Sequence, residues 1–385
     1  MKKSIIVAGF SLLSVMLPFE ARAVTFSKMY VFGDSLSDPG NIFNATRLAS
    51  FFDESISVIP QPPYYEGRYS NGPIWVDYLA EDLGLTLKPS TELSVLFPRL
   101  PLPSPITLNF EGELEVSFYF NGATRNRSVN FAFGGAQTGF TGVGEFGDRI
   151  PGVLRQVEGF KNDQRNSSAD PNALYIVWAG PNDYQTITSP NVAESVDNLE
   201  TAIATLFNLG ARNFLVPNLP DLGKTARALS LGSEESNRLT SLTTDHNGAL
   251  ATTLNDLSQS LSGINLLSLD VYSLFNNAIA NPQQFGLTNV TEPCLGATIC
   301  SNPNEYLFWD GIHPTTVAHQ ELAELAFAAL TPSPVSALNP SAPLETLTSE
   351  PEAESVPEPA SALSLGMLGI AWLLRARLIA IAKGS

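Results

Sequence analysis

The chain alternates short apolar runs with longer stretches whose apolar residues recur every three or four positions. Met29 to Phe32 is continuously apolar and stops at Gly33, which predicts a buried strand with a sharp exit. Val129 to Phe133 predicts a second strand, running into the paired Gly134 and Gly135. Ala173 to Ala179 is apolar throughout, the signature of a strand covered on both faces of a parallel sheet. Asn213 to Pro217 and Ile264 to Leu269 read as further strands. Helical spacing falls between them. Trp75, Tyr78, Leu79, Asp82 and Leu83 follow a turn at Asn71-Gly72-Pro73 and predict a scaffold helix with one apolar face. Val192, Val196, Leu199, Ile203 and Leu206 predict another, stopped by Gly210. A long helix is expected from about Ser233 to Leu261 and a last one from about Thr315 to Leu330. Strands alternating with helices point to βαβ units and an α/β three-layer sandwich on a parallel sheet.

The pattern breaks inside the chain and at both ends. Pro89, Pro98, Pro101, Pro103 and Pro105 mark an extended loop, and Glu113 to Phe120 then alternates as a strand does. Residues 88–128 are therefore expected to be an insertion, either shaping the substrate entrance or forming a solvent-exposed hairpin. Residues 1–23 carry Lys2-Lys3, an apolar run from Ile5 to Leu17, and Ala21-Arg22-Ala23, a secretory signal with cleavage after Ala23. The run is short for a membrane span. The body, 24–331, gives way to an acidic Ser/Pro/Glu/Ala linker at 332–356 that is expected to be disordered. Residues 357–385 hold Pro357-Glu358-Pro359, an apolar stretch from Ala360 to Leu374, and Arg375, Arg377 and Lys383. This tail resembles a PEP-CTERM sorting signal, which implies transient membrane anchoring, a Gram-negative-type exporter, a processing enzyme that removes the tail, and an extracellular or cell-surface destination. A retained anchor or interfacial segment is the alternative.

Charge narrows the partners. Among 385 residues, 38 acids against 21 bases give a net charge of -17, which argues against nucleic acid and anionic membrane surfaces as partners. The two cysteines, Cys294 and Cys300, have no nearby histidine, so in an exported protein they are expected to form a local disulfide rather than hold zinc. No nucleotide, metal or haem signature is present, and no cofactor is expected.

Only three histidines occur, so any mechanism needing an imidazole has few candidates: His246, His313 and His319. His246 lies on a predicted helix and is expected to be structural or at the surface, and His319 to cap or pack the last helix. His313 stands in Asp310-Gly311-Ile312-His313-Pro314, where the short spacing lets the carboxylate reach Nδ1 while Nε2 faces elsewhere. Ser35, in Gly33-Asp34-Ser35-Leu36-Ser37-Asp38, sits just past a strand's carboxyl end, where α/β sheets place their ligands. Asp34 and Asp38 are expected to bind loop amides. Gly135 and Asn182, the latter in Gly180-Pro181-Asn182-Asp183, occupy similar strand ends. A hydroxyl, an imidazole, a carboxylate and fixed amide donors are what acyl transfer requires.

These segments, in this order, resemble the GDSL esterase/lipase family, also called SGNH hydrolases: FGDSLSDPGN, NFAFGGA, GPND and DGIHPT, with RYSNGPIWVDYLA between the first two. The match spans roughly residues 27 to 330. The resemblance implies a flavodoxin-like sheet of about five strands. It also implies a catalytic triad of Ser35, His313 and Asp310, and an oxyanion hole made by the Ser35 amide, Gly135 (or Gly134) and the Asn182 side chain. The implied activity is hydrolysis of carboxylic esters by a secreted or surface enzyme. The substrate would be an acyl ester, a lipid or an acylated polysaccharide. Alternatives are a carbohydrate O-acyl esterase of exopolysaccharide, a phospholipase or acyltransferase, and a non-catalytic surface or matrix protein. We expect residues 42–66 and 88–128 to set the size of the acyl pocket.

Overall fold

The computed structural model describes residues 25–93, 106–108, 114–116, 122–165, 167–185 and 190–331. The expected signal (1–23), linker (332–356) and tail (357–385) lie outside the described residues, as does most of 94–121. The first half of the chain holds β1 (Met29–Gly33), α1 (Asn41–Phe52), α2 (Trp75–Asp82), β2 (Leu87–Pro89), β3 (Ile106–Leu108), β4 (Leu114–Val116), β5 (Ser128–Asn130), α3 (Val153–Gln164) and β6 (Leu174–Trp178). The second half holds α4 (Pro181–Gln185), α5 (Val192–Leu209), β7 (Asn213–Pro217), α6 (Ala226–Ser230), α7 (Ser233–Ser260) and β8 (Asn265–Leu269). It closes with α8 (Val271–Ala280), β9 (Asn289–Pro293), β10 (Tyr306–Phe308) and α9 (Thr316–Leu330).

Six strands form one parallel sheet in the order β2-β5-β1-β6-β7-β8, one more than the resemblance implies. The extra strand is β2, three residues at the sheet edge that include Lys88 and Pro89, too short and too polar to register as a periodicity. Expected elements recur with ends shifted by a residue or two, except that β5 stops at Asn130, short of Phe133. Helices α3 and α8 and strands β9 and β10 add to what the pattern predicts.

Alternation along the central strands divides the core into two layers. Tyr30, Phe32, Tyr175, Val177 and Phe214 face α3, α5 and the carboxyl half of α7, against Phe160, Leu199, Leu206 and Leu254. Met29, Val31, Leu174, Ile176 and Leu215 face the other way, against Trp75, Leu79, Leu322 and Ala326 of α2 and α9. That is a three-layer α/β sandwich. Within the insertion, β3 and β4 pair antiparallel, and β4 falls inside the expected 113–120 strand. Cys294 and Cys300 are bonded, S–S 2.01 Å. The amides of Cys294 and Leu295 donate to the carbonyls of Phe308 and Trp309, so this small loop braces the segment entering Asp310. No helix among the described residues is long and apolar enough to cross a membrane.

Gly33 ends β1 where it presses on β6. A Cβ there would sit 2.5 Å from the backbone carbonyl oxygen of Trp178, which cannot swing away. Gly33→Ala is expected to cost about 1–3 kcal/mol of stability. Urea unfolding against the wild type measures it, and an unchanged midpoint would contradict the close packing.

Candidate active site

A strand that leaves its sheet exposes backbone groups needing new partners. At the end of β1 these come from side chains. The Gln156 amide of α3 accepts the Gly33 N–H and donates to the Gly33 carbonyl, both at 2.9 Å, as a neighbouring strand would. Asn130 donates to the Ser37 carbonyl, and Trp75 Nε1 donates to Ser37 Oγ. Buried Asp38 accepts the amides of Gly40, Asn41, Ile42 and Gly134. Burial pushes its carboxyl up to about 6, partly offset by those four amides. Ser35 is thereby held on a rigid turn.

At the other end of the chain, Asp310 is largely buried and accepts four donors. Oδ1 takes the amides of Ile312 and His313, both at 2.8 Å. Oδ2 takes His313 Nδ1 and the Tyr64 hydroxyl, both at 2.7 Å. Burial would raise this carboxyl, but the neighbouring His313 ring and the hydrogen bonds from His313, Ile312 and Tyr64 outweigh it and hold it well below the usual carboxylate range. A carboxylate only accepts, so Nδ1 carries the hydrogen and the neutral ring turns an acceptor, Nε2, toward Ser35. Nε2 lies 2.8 Å from Ser35 Oγ. Tyr69 lies against the imidazole at 4.8 Å between ring centres. The segment after Tyr69 fixes the far side of this loop: Ser70 Oγ donates to the Pro314 carbonyl, and Asn71 Oδ1 accepts the Thr316 amide.

Gly135 and Asn182 meet on a third side. The Asn182 Nδ2 donates to the Ala136 carbonyl at 2.9 Å, which orients the side chain. Asp183 ties the same loop down through the Thr138 amide and hydroxyl. Gly135 has φ +84°, the left-handed region, and its Cβ would strike the Val143 carbonyl oxygen at 2.9 Å. Among the described residues the amides of Ser35 and Gly135 have no hydrogen-bond acceptor, whereas the Gly134 amide is occupied by Asp38.

The structure thus brings Ser35, His313 and Asp310 into one hydrogen-bonded chain, with Asn182 bordering the same cavity. His246 and His319 stay out of it. Both are buried, His246 against the Tyr184 hydroxyl at 2.7 Å, and burial pushes their rings down to about 4 and about 3. Sequence reasoning missed Gln156, Tyr64 and Tyr69. Tyr64 lies in a Pro-Pro-Tyr-Tyr stretch with no periodicity, and a lone glutamine on an amphipathic helix carries no pattern. The cavity beside Ser35 is walled by residues 34–36, 178–185, 220–225, 271–287 and 307–322, and a second cavity is walled by Ile42, Ala45, Thr46, Ala49, Ile56, Phe133 and residues 146–151. Helix α8, not among the expected elements, lies over the first. Among the described residues no group of three or more His, Cys, Asp or Glu is placed to hold a metal ion.

The chain is similar to known proteins over most of its length. The family described as GDSL-like lipase/acylhydrolase matches residues 29–326. A GDSL esterase/lipase of Arabidopsis thaliana is 28% identical over 351 residues, covering 82% of this chain and 92% of the relative. A GDSL lipase of Tanacetum cinerariifolium is 26% identical over 324 residues, covering 77% and 82%. Among solved structures, a lipase/acylhydrolase from Enterococcus faecalis has 14% identity and a TM-score of 0.34, over 79% of this chain and 95% of that one.

Asp34 is the odd group at this site. It is buried, Oδ1 accepts the Leu36 amide at 3.0 Å, and Oδ2 has no hydrogen-bond partner among the described residues. Burial pushes its carboxyl up to about 7 from 3.8, partly offset by the Leu36 amide and His313. The folded state therefore binds this proton more tightly than the unfolded chain. Its contribution to stability is full below the unfolded value and is lost as pH rises through about 7. Asp34→Asn keeps the shape and removes the charge, so its melting temperature relative to wild type is expected to rise between about pH 5 and about pH 8.5. A pH-independent difference in thermal melts would show that Asp34 does not titrate there.

Proposed function

The chain belongs to the GDSL-like lipase/acylhydrolase family, and from that premise we propose that it hydrolyses carboxylic esters with Ser35 as nucleophile. The observation that carries the reading is the hydrogen-bonded chain from Ser35 Oγ through His313 to Asp310. In the first half-reaction His313 Nε2 takes the hydroxyl proton as Ser35 Oγ bonds to the ester carbonyl carbon. The resulting imidazolium faces the Asp310 carboxylate, which stabilises its charge. The carbonyl oxygen, now an oxyanion, is received by the amides of Ser35 and Gly135 and the side-chain amide of Asn182. The Gly134 amide is committed to Asp38, which favours Gly135 over its neighbour for this role. As the carbon–oxygen bond breaks, the alcohol leaves with the proton from His313. Water then gives its proton to His313 and attacks the acyl-enzyme. The second tetrahedral intermediate collapses, releasing the acid and returning the proton to Ser35.

The proposal extends to where the enzyme works. The basic-apolar-small opening of residues 1–23 supports export, and the Pro-Glu-Pro, apolar and basic order of 357–385 supports sorting to the cell surface or matrix with loss of the tail by a processing enzyme. A surface destination makes acylated exopolysaccharide a second reading of the substrate.

Ser35→Ala is expected to abolish hydrolysis of p-nitrophenyl esters and labelling by a fluorophosphonate probe. Retained turnover would refute the nucleophile, and an unlabelled wild type would point to an idle scaffold. Asn182→Ala is expected to lower kcat by about 10²–10³ with a smaller change in KM. An unchanged kcat would remove Asn182 from the oxyanion hole.

A further inference from the structure

Ester hydrolysis by itself needs the reacting groups and room for a carbonyl. The site has more. Ser35, Asn182 and His313 border a cavity of about 80 Å³ whose remaining lining is mostly apolar. It lies along a seam between two packed clusters. Leu222, Val271 and Leu274 belong to or pack on the core beneath the sheet, whereas Phe275 and Ala278, on the same α8, belong to a separate cluster with β10. Folded interiors close such seams, because an empty apolar gap forfeits contacts on both walls. A seam left open at the nucleophile fits an apolar occupant brought by the substrate. Away from the reacting groups the polar side chains on the lining are Gln185, Thr225 and Glu321, and among the described residues no lysine or arginine borders it. A phosphate or uronate would find no cation there.

We propose that this cavity holds the unbranched aliphatic acyl chain of the ester, and that the enzyme is selective for medium-chain acyl groups over acetyl. The inference rests on the Ser35 chemistry proposed above. One water-sized group needs roughly 10–15 Å³, so the cavity takes on the order of six methylene-sized groups. The acyl side is assigned because that group stays bonded to Ser35 through both half-reactions. The alcohol must leave and be replaced by water, which a walled apolar slot would hinder. An acetyl group, including one on a sugar, puts a single methyl at the entrance and leaves the rest unfilled.

The test is kcat/KM for p-nitrophenyl esters from acetate to dodecanoate, beside a series of alkyl acetates in which only the alcohol lengthens. The acyl series is expected to rise roughly three- to fourfold per methylene and to peak at about six to eight carbons. The alkyl acetates are expected to stay within a few-fold of one another. Ala278→Phe, which fills the cavity from α8, is expected to lower the hexanoate-to-acetate ratio at least about tenfold. If that variant does not fold, Leu274→Trp, from a partly exposed position on the same helix, is read in the same way. A flat acyl series, a preference for acetate, or a ratio that neither folded variant moves would overturn the cavity assignment. A rise along the alcohol series alone would also overturn it. These results would leave ester hydrolysis standing as long as acetate is turned over and the fluorophosphonate still labels Ser35. Inertness toward every ester together with no labelling would overturn both readings.

Discussion

The imidazole can serve the serine only because the carboxylate behind it cannot move or take up a proton. Asp310 meets four donors with two oxygens, and they come from its own loop and from Tyr64, 246 residues earlier in the chain. Burying a carboxylate without such partners would drive it to its neutral form. Here the balance runs the other way, so the charge persists, and with it the tautomer of His313. The amides of Ile312 and His313 matter as much as the imidazole bond, since they lock the side chain to the loop it orients. That loop is anchored in turn by β10, by the disulfide segment and by the Ser70–Asn71 turn.

The nucleophile turn is secured by a different device. Beyond Gly33 the ladder between strands gives out, and amide side chains continue it: Gln156 on one side, Asn130 and Asn41 on the other. Asn41 donates to the carbonyls of Asn130 and Ala132 and accepts three donors from Ser90 and Thr91. Each of these residues is buried, and each would be costly to lose because its partners are buried too. Burial also explains why Asp34 and Asp38, flanking one serine, differ. Asp38 is surrounded by four amides, whereas Asp34 receives one and keeps an oxygen with no hydrogen-bond partner among the described residues.

How much of this could be read in advance follows from what repeats in a sequence and what does not. Period-two and period-3.6 patterns are imposed by burial over many residues, so β1, β6, β7, α5 and α7 were legible, nearly to the residue. Ser35, Asn182, Asp310 and His313 were legible because they stand in short strings at strand ends. Partners supplied once, from far away, leave no such trace. Gln156 looks like any polar residue on an amphipathic helix, Tyr64 like loop filler, and β2 is three residues long. Helix α8 was legible in principle, since Val271, Leu274, Phe275 and Ala278 recur at helical spacing.

The serine and the imidazole that meet at 2.8 Å are separated by 278 positions. A polypeptide made from its amino end exposes the hydroxyl early, yet that oxygen stays an ordinary alcohol until β10 and the DGIHP loop have been synthesised and docked. On the mechanism proposed above, the hydroxyl gains its base only when the last tenth of the body closes over the first.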